Sequence, residues 1–450
     1  MNKMLKSMKF GKNAFLKLRN SRTQKRLFLT EAYQCQEAWD RRLDSPILQQ
    51  IKPADLYFEL ESKFNNVGKV SAIDIDIFAN VIKDKLQGNE LIDLLHKLRL
   101  SSEACNILES THHAVIRFFL SHNNIDDLFE ILNDRLNYGI FPDYFCYNIL
   151  MDKFIKDKDF ASAAKVAGLL MLQEDSGHPI SNALSVYSCH RYLENPSDWK
   201  IPEIKEDDSK EEIKVRVSYI RNPYFDDHFD LIDPLKIVGK TLVFQGRHMN
   251  NSLGRTCQLR GMILYQKYDK ARELINKWLT EINEEIVHEE VFDLIKQDNA
   301  NIPEDQVTED LKNLQVLLDT LKNKDLHKEN FLERIENEVK SAVNQCIETD
   351  ISQQKEIFLE WEKNREVTLK EQQTLLDKQL RLENIKKMKE ELEKKERLLT
   401  FFENEEKIEL EIEKKQEIVR KEDEKLAKKP HIVKKLKKLV EQEVYIPPNI

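Results

Sequence analysis

The sequence predicts an all-α chain: an irregular α-solenoid of helical hairpins followed by a long charged helix. Three observations predict it. Glycine and proline vanish from much of the second half, with Gly261 the last glycine and no proline between Pro303 and Pro430. These residues punctuate turns and break helices, so their absence predicts uninterrupted helix. Apolar residues recur at helical spacing through the middle of the chain. One helix–turn–helix layout also returns at an offset of 35 residues, as stacked repeats do. Composition agrees: hydrophobic residues are 40% and charged residues 34%, against roughly 25% charged in ordinary domains. Part of the chain can bury a core while another part is solvated.

The chain opens with a basic leader. Residues 1–26 carry nine cations, from Lys3 to Arg26, and no acid before Glu31, with Met4, Leu5, Met8, Phe15, Leu16 and Leu18 between the charges. A basic, acid-free, amphipathic start is the pattern of a mitochondrial transit peptide. A basic arm that binds nucleic acid is the other reading. The formal net charge is −9, so removing the nine leader cations leaves the rest at −18. A body that acidic does not coat RNA by charge alone, and any RNA contact has to be local. Six cysteines lie far apart, with no Cys-x-x-Cys pair, which predicts buried free thiols in a reduced compartment rather than a zinc or redox site. No apolar run reaches the ~18 residues of a membrane span.

The clearest motif runs from Tyr138 to Ala164. Gly139 is expected to end one helix and Pro142 to forbid its continuation. A new helix starts near Asp143, and Tyr147, Leu150, Met151 and Phe154 form one apolar stripe. Lys156-Asp157-Lys158-Asp159 makes the turn; Phe160, Ala163 and Ala164 open the second helix, where small alanines let the pair approach closely. At the 35-residue offset, Phe119 maps to Phe154, Ile125 to Phe160 and Leu128 to Ala163. A further hairpin runs from about Leu253 to Trp278, turning near Lys267-Tyr268-Asp269-Lys270.

This unit resembles the pentatricopeptide repeat, and Gly139, Pro142, Tyr147, Asn148, Leu150, Phe154, Phe160 and Ala163 carry the resemblance. A narrower likeness extends over nearly the whole chain. Tyr138-Gly139-Ile140-Phe141-Pro142-Asp143, the run Asn148–Lys156, Phe28–Tyr33 and Trp39 look like the pentatricopeptide-repeat proteins of the mitochondrial small ribosomal subunit. The order of leader, repeats and charged helix agrees. That resemblance implies a ribosomal scaffold role and no catalysis, with small-subunit rRNA and other small-subunit proteins as partners, in the matrix. One position departs from the general repeat. Where base-reading repeats usually place a small polar residue after the Tyr-Asn pair, this chain has Ile149, which has no donor or acceptor for a base edge.

Two clusters invite a chemical reading. Asp226, Asp227, His228 and Asp230 offer oxygen and nitrogen ligands in a short span, as a magnesium-dependent nuclease would need. Neighbouring residues on one element do not converge on a point, and Asp before Leu231 and Pro234 reads better as capping and turn chemistry. The surrounding stretch, Val215–Lys240, is a candidate docking segment. His112, His113 and His122 read as ordinary polar residues around a turn; His113 and His122 are nine apart and share no face as ligands would. There is no Walker-type phosphate loop and no Gly-x-Ser-x-Gly elbow. No cofactor, metal or small-molecule substrate is expected.

From about Ile351 to Lys429 the chain reads as one helix dense in Glu, Lys and Gln, on the order of 120 Å long. Ile385, Met388, Leu392, Leu399 and Phe402 follow heptad spacing. Both a coiled coil and a single helix held by pairs such as Glu391 with Lys395 fit. After it comes a basic patch, and Lys428, Lys429, Lys434, Lys435, Lys437 and Lys438 are the candidate rRNA contact. The expected layout is a transit peptide (1–26), a solenoid with an irregular segment about 195–240 (27–285), a helical connector (286–350), the charged helix (351–429) and a basic tail (430–450). The alternatives to a ribosomal scaffold are a free matrix factor that binds mitochondrial transcripts and a metal-dependent RNA-processing enzyme resting on Asp226.

Overall fold

The computed structural model describes residues 28–196, 199, 231–282, 285–300, 309–400 and 403–427. Among these, the ordered elements are seventeen α-helices with short 3₁₀ turns between some of them, and no strand. In chain order they are α1 (Gln36–Asp40), α2 (Pro46–Gln49), α3 (Pro53–Val67), α4 (Ala72–Val81), α5 (Gly88–Leu100) and α6 (Glu109–Ser121). Then come α7 (Ile125–Asn133), α8 (Tyr144–Lys156), α9 (Phe160–Leu172), α10 (Pro179–Glu194), α11 (Pro234–His248) and α12 (Ser252–Leu264). The last are α13 (Tyr268–Glu281), α14 (Val291–Ala300), α15 (Glu309–Lys322), α16 (Phe331–Thr400) and α17 (Glu405–Ala427). The chain divides into two compact units, Met1–Glu366 and Val367–Ile450.

The first unit is an all-α stack of hairpins, and its turns repeat one device. In three hairpins the residue just past the first helix adopts the left-handed conformation: Asn123 at φ 51°, Lys158 at φ 60° and Gln266 at φ 61°. In each, the next amide reaches back five residues, Asn124 to Phe119, Asp159 to Phe154 and Lys267 to Met262, all at 2.9–3.0 Å. This is the Schellman closure, which satisfies carbonyls that the helix end would otherwise orphan. Side chains carry a cost at that φ that glycine avoids. Lys158 is exposed, so Lys158→Gly is expected to stabilise the protein by about 0.5 kcal/mol; an unchanged or lower urea midpoint would contradict this.

Gly139 plays a different part from the one its sequence context suggests. Helix α7 already ends at Asn133. Gly139 lies six residues further on, at φ 68°, and its amide closes a turn on the Arg135 carbonyl. An added Cβ there would lie 2.6 Å from Arg99 Cδ. Asp143 then caps α8, accepting from the Cys146 amide at 2.8 Å, and Asp159 caps α9 through the Ser162 amide.

Helices α11 and α12 touch backbone to backbone. Gly239 and Gly246 are spaced by seven on α11, and Gly254 and Gly261 by seven on α12. A Cβ on Gly261 would lie 2.5 Å from the Gly239 carbonyl oxygen, and one on Gly246 would lie 2.6 Å from that of Gly254. Only hydrogen fits at these four crossings. Because α11 begins at Pro234, the expected irregular segment 195–240 gives way to helix over its last residues; 200–230 lie outside the described residues.

The packed array also extends beyond residue 285. Helices α12 to α15 share one apolar core, in which Val291, Phe292 and Ile295 of α14 and Leu311, Leu314 and Leu321 of α15 pack with Ala271, Ile275 and Trp278. Helix α16 starts at Phe331, twenty residues before the expected charged helix. Its first half docks: Phe331, Ile335, Val339, Val343, Asp350, Gln354 and Arg365 are buried at near four-residue spacing. Thus 331–366 is a core strut. In the second unit, α16 ends at Thr400 and α17 begins at Glu405, so the expected single helix is two. Ile385, Met388, Leu392 and Leu399 are exposed; Phe402 is outside the described residues. Ion pairs at i, i+4 do form there, among them Arg397 with Glu393 and Lys421 with Glu417.

All six thiols are free. Cys35, Cys146, Cys189 and Cys257 are buried, but Cys105 is exposed and Cys346 half-buried, so the expectation of buried thiols holds for four.

Candidate nucleic-acid interface

Two buried polar clusters fasten α16 to the start of the fold. Asp350 accepts from the Tyr33 hydroxyl at 2.9 Å and faces His178 Nε2 at 3.2 Å. Asn148 donates to the Tyr33 oxygen at 2.8 Å and accepts from Ser181. Burial pushes the Tyr33 phenol well above its ordinary range. The second cluster centres on Asp76 of α4, which is fully buried. Its two oxygens accept from Arg365 Nε at 2.8 Å, from Thr111 at 2.9 Å and from Ser110 and Asn80.

Between these clusters lies a cleft with aromatic and cationic walls. Trp39 lies in the last turn of α1, and Arg42 follows on the next 3₁₀ turn with its guanidinium carbon 3.9 Å from the Trp39 ring centre. Arg117 of α6 approaches the same ring at 5.0 Å, and lies 5.7 Å from the Phe358 ring and 6.0 Å from that of Phe145. On one side of Trp39 the cleft measures about 520 Å³ and reaches Phe358, Trp361 and Lys355. On the other it measures about 680 Å³ and is lined by Arg117, Lys83 and Lys153. Gln36, Trp39 and Arg42 belong to both.

His113, Asp143 and Cys146 bring their ligand atoms within 4.8 Å of one another. Among the described residues this is the group whose donor types could hold a metal ion. Asp143 is already committed: one oxygen caps α8 and both face His113 Nε2 at 3.0–3.1 Å. Burial raises the Asp143 carboxyl, but His113 and the Cys146 amide outweigh it and hold the group down at about 2. Burial raises the Cys146 thiol, keeping it from the thiolate that binds metal. The group is a helix cap whose carboxylate also faces His113. It also places His113 inside the core at 1% exposure, not around a turn as its sequence context suggests.

The repeat-signature residues come together as hairpin core. Tyr147, Asn148, Leu150, Phe154 and Ala163 are buried, Pro142 is buried beside Gly139, and Phe160 is half-buried. Ile149 is buried too, so the position after the Tyr-Asn pair is packed within the protein. The leader 1–26, the Asp226–Asp230 segment and the six lysines Lys428, Lys429, Lys434, Lys435, Lys437 and Lys438 lie outside the described residues. Reading the sequence missed Arg42 and Arg117. Nothing local marks them, because their neighbours come from α1, α6, α8 and α16.

A third buried cluster has a measurable pH signature. Arg260 holds Asp298 through two bonds at 2.8 and 3.0 Å and donates to His190 Nδ1 at 3.1 Å. Burial, then the Arg260 and Arg191 cations, push the His190 imidazole down to about 3. The unfolded chain binds a proton below the ordinary value near 6.5 that the native state refuses, so this contribution is complete above pH 6.5 and is lost as pH falls toward 3. At pH 5.5 the loss is about 1.4 kcal/mol. Urea titrations at pH 7.5 and 5.5 are expected to show a smaller difference for His190→Gln than for the native protein; equal differences would contradict the assignment.

The fold and its surface define an all-α helical-hairpin protein whose buried polar groups are spent on joining helices distant in sequence. No helix among the described residues is long and apolar enough to cross a membrane. The family described as mitochondrial 28S ribosomal protein S27 matches residues 1–391, and the chain belongs to that family. It is a mitochondrial protein of the small ribosomal subunit.

Proposed function

We propose that the chain is a non-catalytic structural component of the mitochondrial small subunit that scaffolds small-subunit rRNA and neighbouring ribosomal proteins. The observation that carries this reading is the family match over residues 1–391. The structure supports it physically. Long-range polar joints such as Tyr33–Asp350 and Asp76–Arg365 make a firm body suited to holding partners in fixed positions. The reading includes residues 1–26 as an import leader and Lys428, Lys429, Lys434, Lys435, Lys437 and Lys438 as phosphate contacts at the chain's basic end. It takes the hairpins as degenerate pentatricopeptide-like units that present surface rather than read bases, because Ile149 is buried and apolar.

Sedimentation of gently lysed mitochondria tests the proposal. The protein is expected to travel with the small subunit and to stay there through a high-salt wash. Recovery at the top of the gradient would overturn it and favour a free matrix factor that binds transcripts.

A further inference from the structure

Buried cations are ordinarily paired, because an uncompensated charge away from water is costly. Two arginines of the first unit depart from that rule. Arg117 gives one bond to the Gln34 carbonyl at 2.6 Å and one to the Gln36 side chain at 3.3 Å, while its Nε has no partner. No carboxylate among the described residues forms an ion pair with it. Arg42 donates to the Trp39 carbonyl at 2.9 Å, and its Nε is likewise buried without a partner. The one acid near it, Asp40, is 3.7 Å away and more than half exposed. Burial lowers the Arg42 guanidinium to about 10, with the Arg117 and Arg365 cations adding to the shift against Asp40.

The two guanidiniums approach the same Trp39 ring and line the cleft on the Lys83 and Lys153 side. Lys153 is matched by Asp157, and Asp40 is the acid of that wall. Across Trp39, Glu31, Glu37 and Glu362 line the other half with Arg41 and Lys355, and Arg365 there is already committed to Asp76. Acids therefore gather on the Phe358 side, while on the Arg117 side Asp40 alone faces Arg42, Arg117, Lys83 and Lys153. A planar guanidinium suits phosphate oxygens, and the half-buried Phe358 ring, 5.7 Å from Arg117, suits an unstacked base.

We propose that Arg42 and Arg117 form a phosphate-binding site that holds the backbone of a single-stranded stretch of RNA. This rests on the scaffold reading and names one surface by which the chain would grip rRNA. A bound phosphate supplies the counter-charge that Arg117 lacks and that Arg42 finds only in the largely exposed Asp40.

The test uses the purified full chain, a labelled single-stranded oligouridylate and a potassium chloride series. Each lost phosphate contact on a single strand lowers the slope of log affinity against log salt by about 0.7. Arg117→Gln and Arg42→Gln are each expected to lower the slope by about that amount, and Arg117→Lys to keep it. Thermal midpoints without RNA are expected to stay level or rise in the Gln variants, since each removes a partly buried cation that has no buried counter-charge. Unchanged slopes in both Gln variants overturn the proposal, as does a lowered midpoint accompanied by an unchanged slope. Displacement of the oligomer by ADP or inorganic phosphate would assign the site to a free small ligand and overturn the RNA strand. Sedimentation separates this failure from that of the scaffold reading. Native protein that stays with the small subunit while the slopes are unchanged removes only this site; native protein absent from the subunit removes the scaffold reading itself.

Discussion

Asp76→Ala is expected to destabilise the first unit by about 3–5 kcal/mol, the cost of stranding a buried charge. Arg365 is 3% exposed and its Nε rests 2.8 Å from Asp76. With the carboxylate gone, the guanidinium has nowhere to hydrate, and Ser110, Thr111 and Asn80 each lose an acceptor. A double substitution separates the pair from its parts. Asp76→Ala with Arg365→Leu removes both charges and is expected to regain a substantial part of the loss. Chemical denaturation of the two variants measures this directly. A loss below about 1 kcal/mol for Asp76→Ala would mean that water reaches Arg365 and the joint is not dry.

Gly261→Ala carries the second large effect. Alanine is ordinarily the better helix residue by about 1 kcal/mol. Here its methyl group would meet the Gly239 carbonyl at 2.5 Å and the Val243 amide nitrogen at 2.9 Å, and backbone cannot rotate aside as a side chain can. Overpacking of this kind costs about 1–3 kcal/mol, sometimes more, so a net loss of about 1 kcal/mol remains after the propensity gain. Gly88→Ala is the control: a Cβ there meets Phe118 at an ordinary 3.5 Å, and that variant is expected to be neutral or slightly more stable. If both variants gained stability, α11 and α12 would not be in the close contact described.

The hairpins were legible because their information is local. Pro142-Asp143 marks a helix start, the apolar stripe from Tyr147 to Phe154 marks its buried face, and Ala163-Ala164 marks a close neighbour. The αL turns at Asn123 and Lys158 fall 35 residues apart, matching the offset read from the sequence. What escaped is long-range. The buried stripe of α16 passes through Asp350, Gln354 and Arg365, so a reading by hydropathy treats its docked half as solvated helix. Arg117 is unremarkable in its own helix; its character comes from Trp39, seventy-eight residues earlier in the chain, and from Phe358, far later. The seven-residue glycine spacing in α11 and again in α12 was a signal open to inspection, and it fits a backbone contact between consecutive helices.

The joints between α16 and the start of the fold also dictate a schedule. Tyr33 meets Asp350 across 317 residues, and Asp76 meets Arg365 across 289. A chain emerging from its N-terminus can close its hairpins early, since their contacts are nearby. It cannot complete the Tyr33 and Asp76 joints until Asp350 and Arg365 have followed, and closing such distant pairs is the slow part of folding. Until then the groove meant for α16 stands open, presenting Trp39, His113 and His190, which pack against Phe358, Trp361 and Phe331 in the finished fold, to whatever chaperone attends the chain. A chain cut short at residue 330 would remain in that unfinished state, with well-formed hairpins and no clasp, and would be a ready substrate for proteolysis.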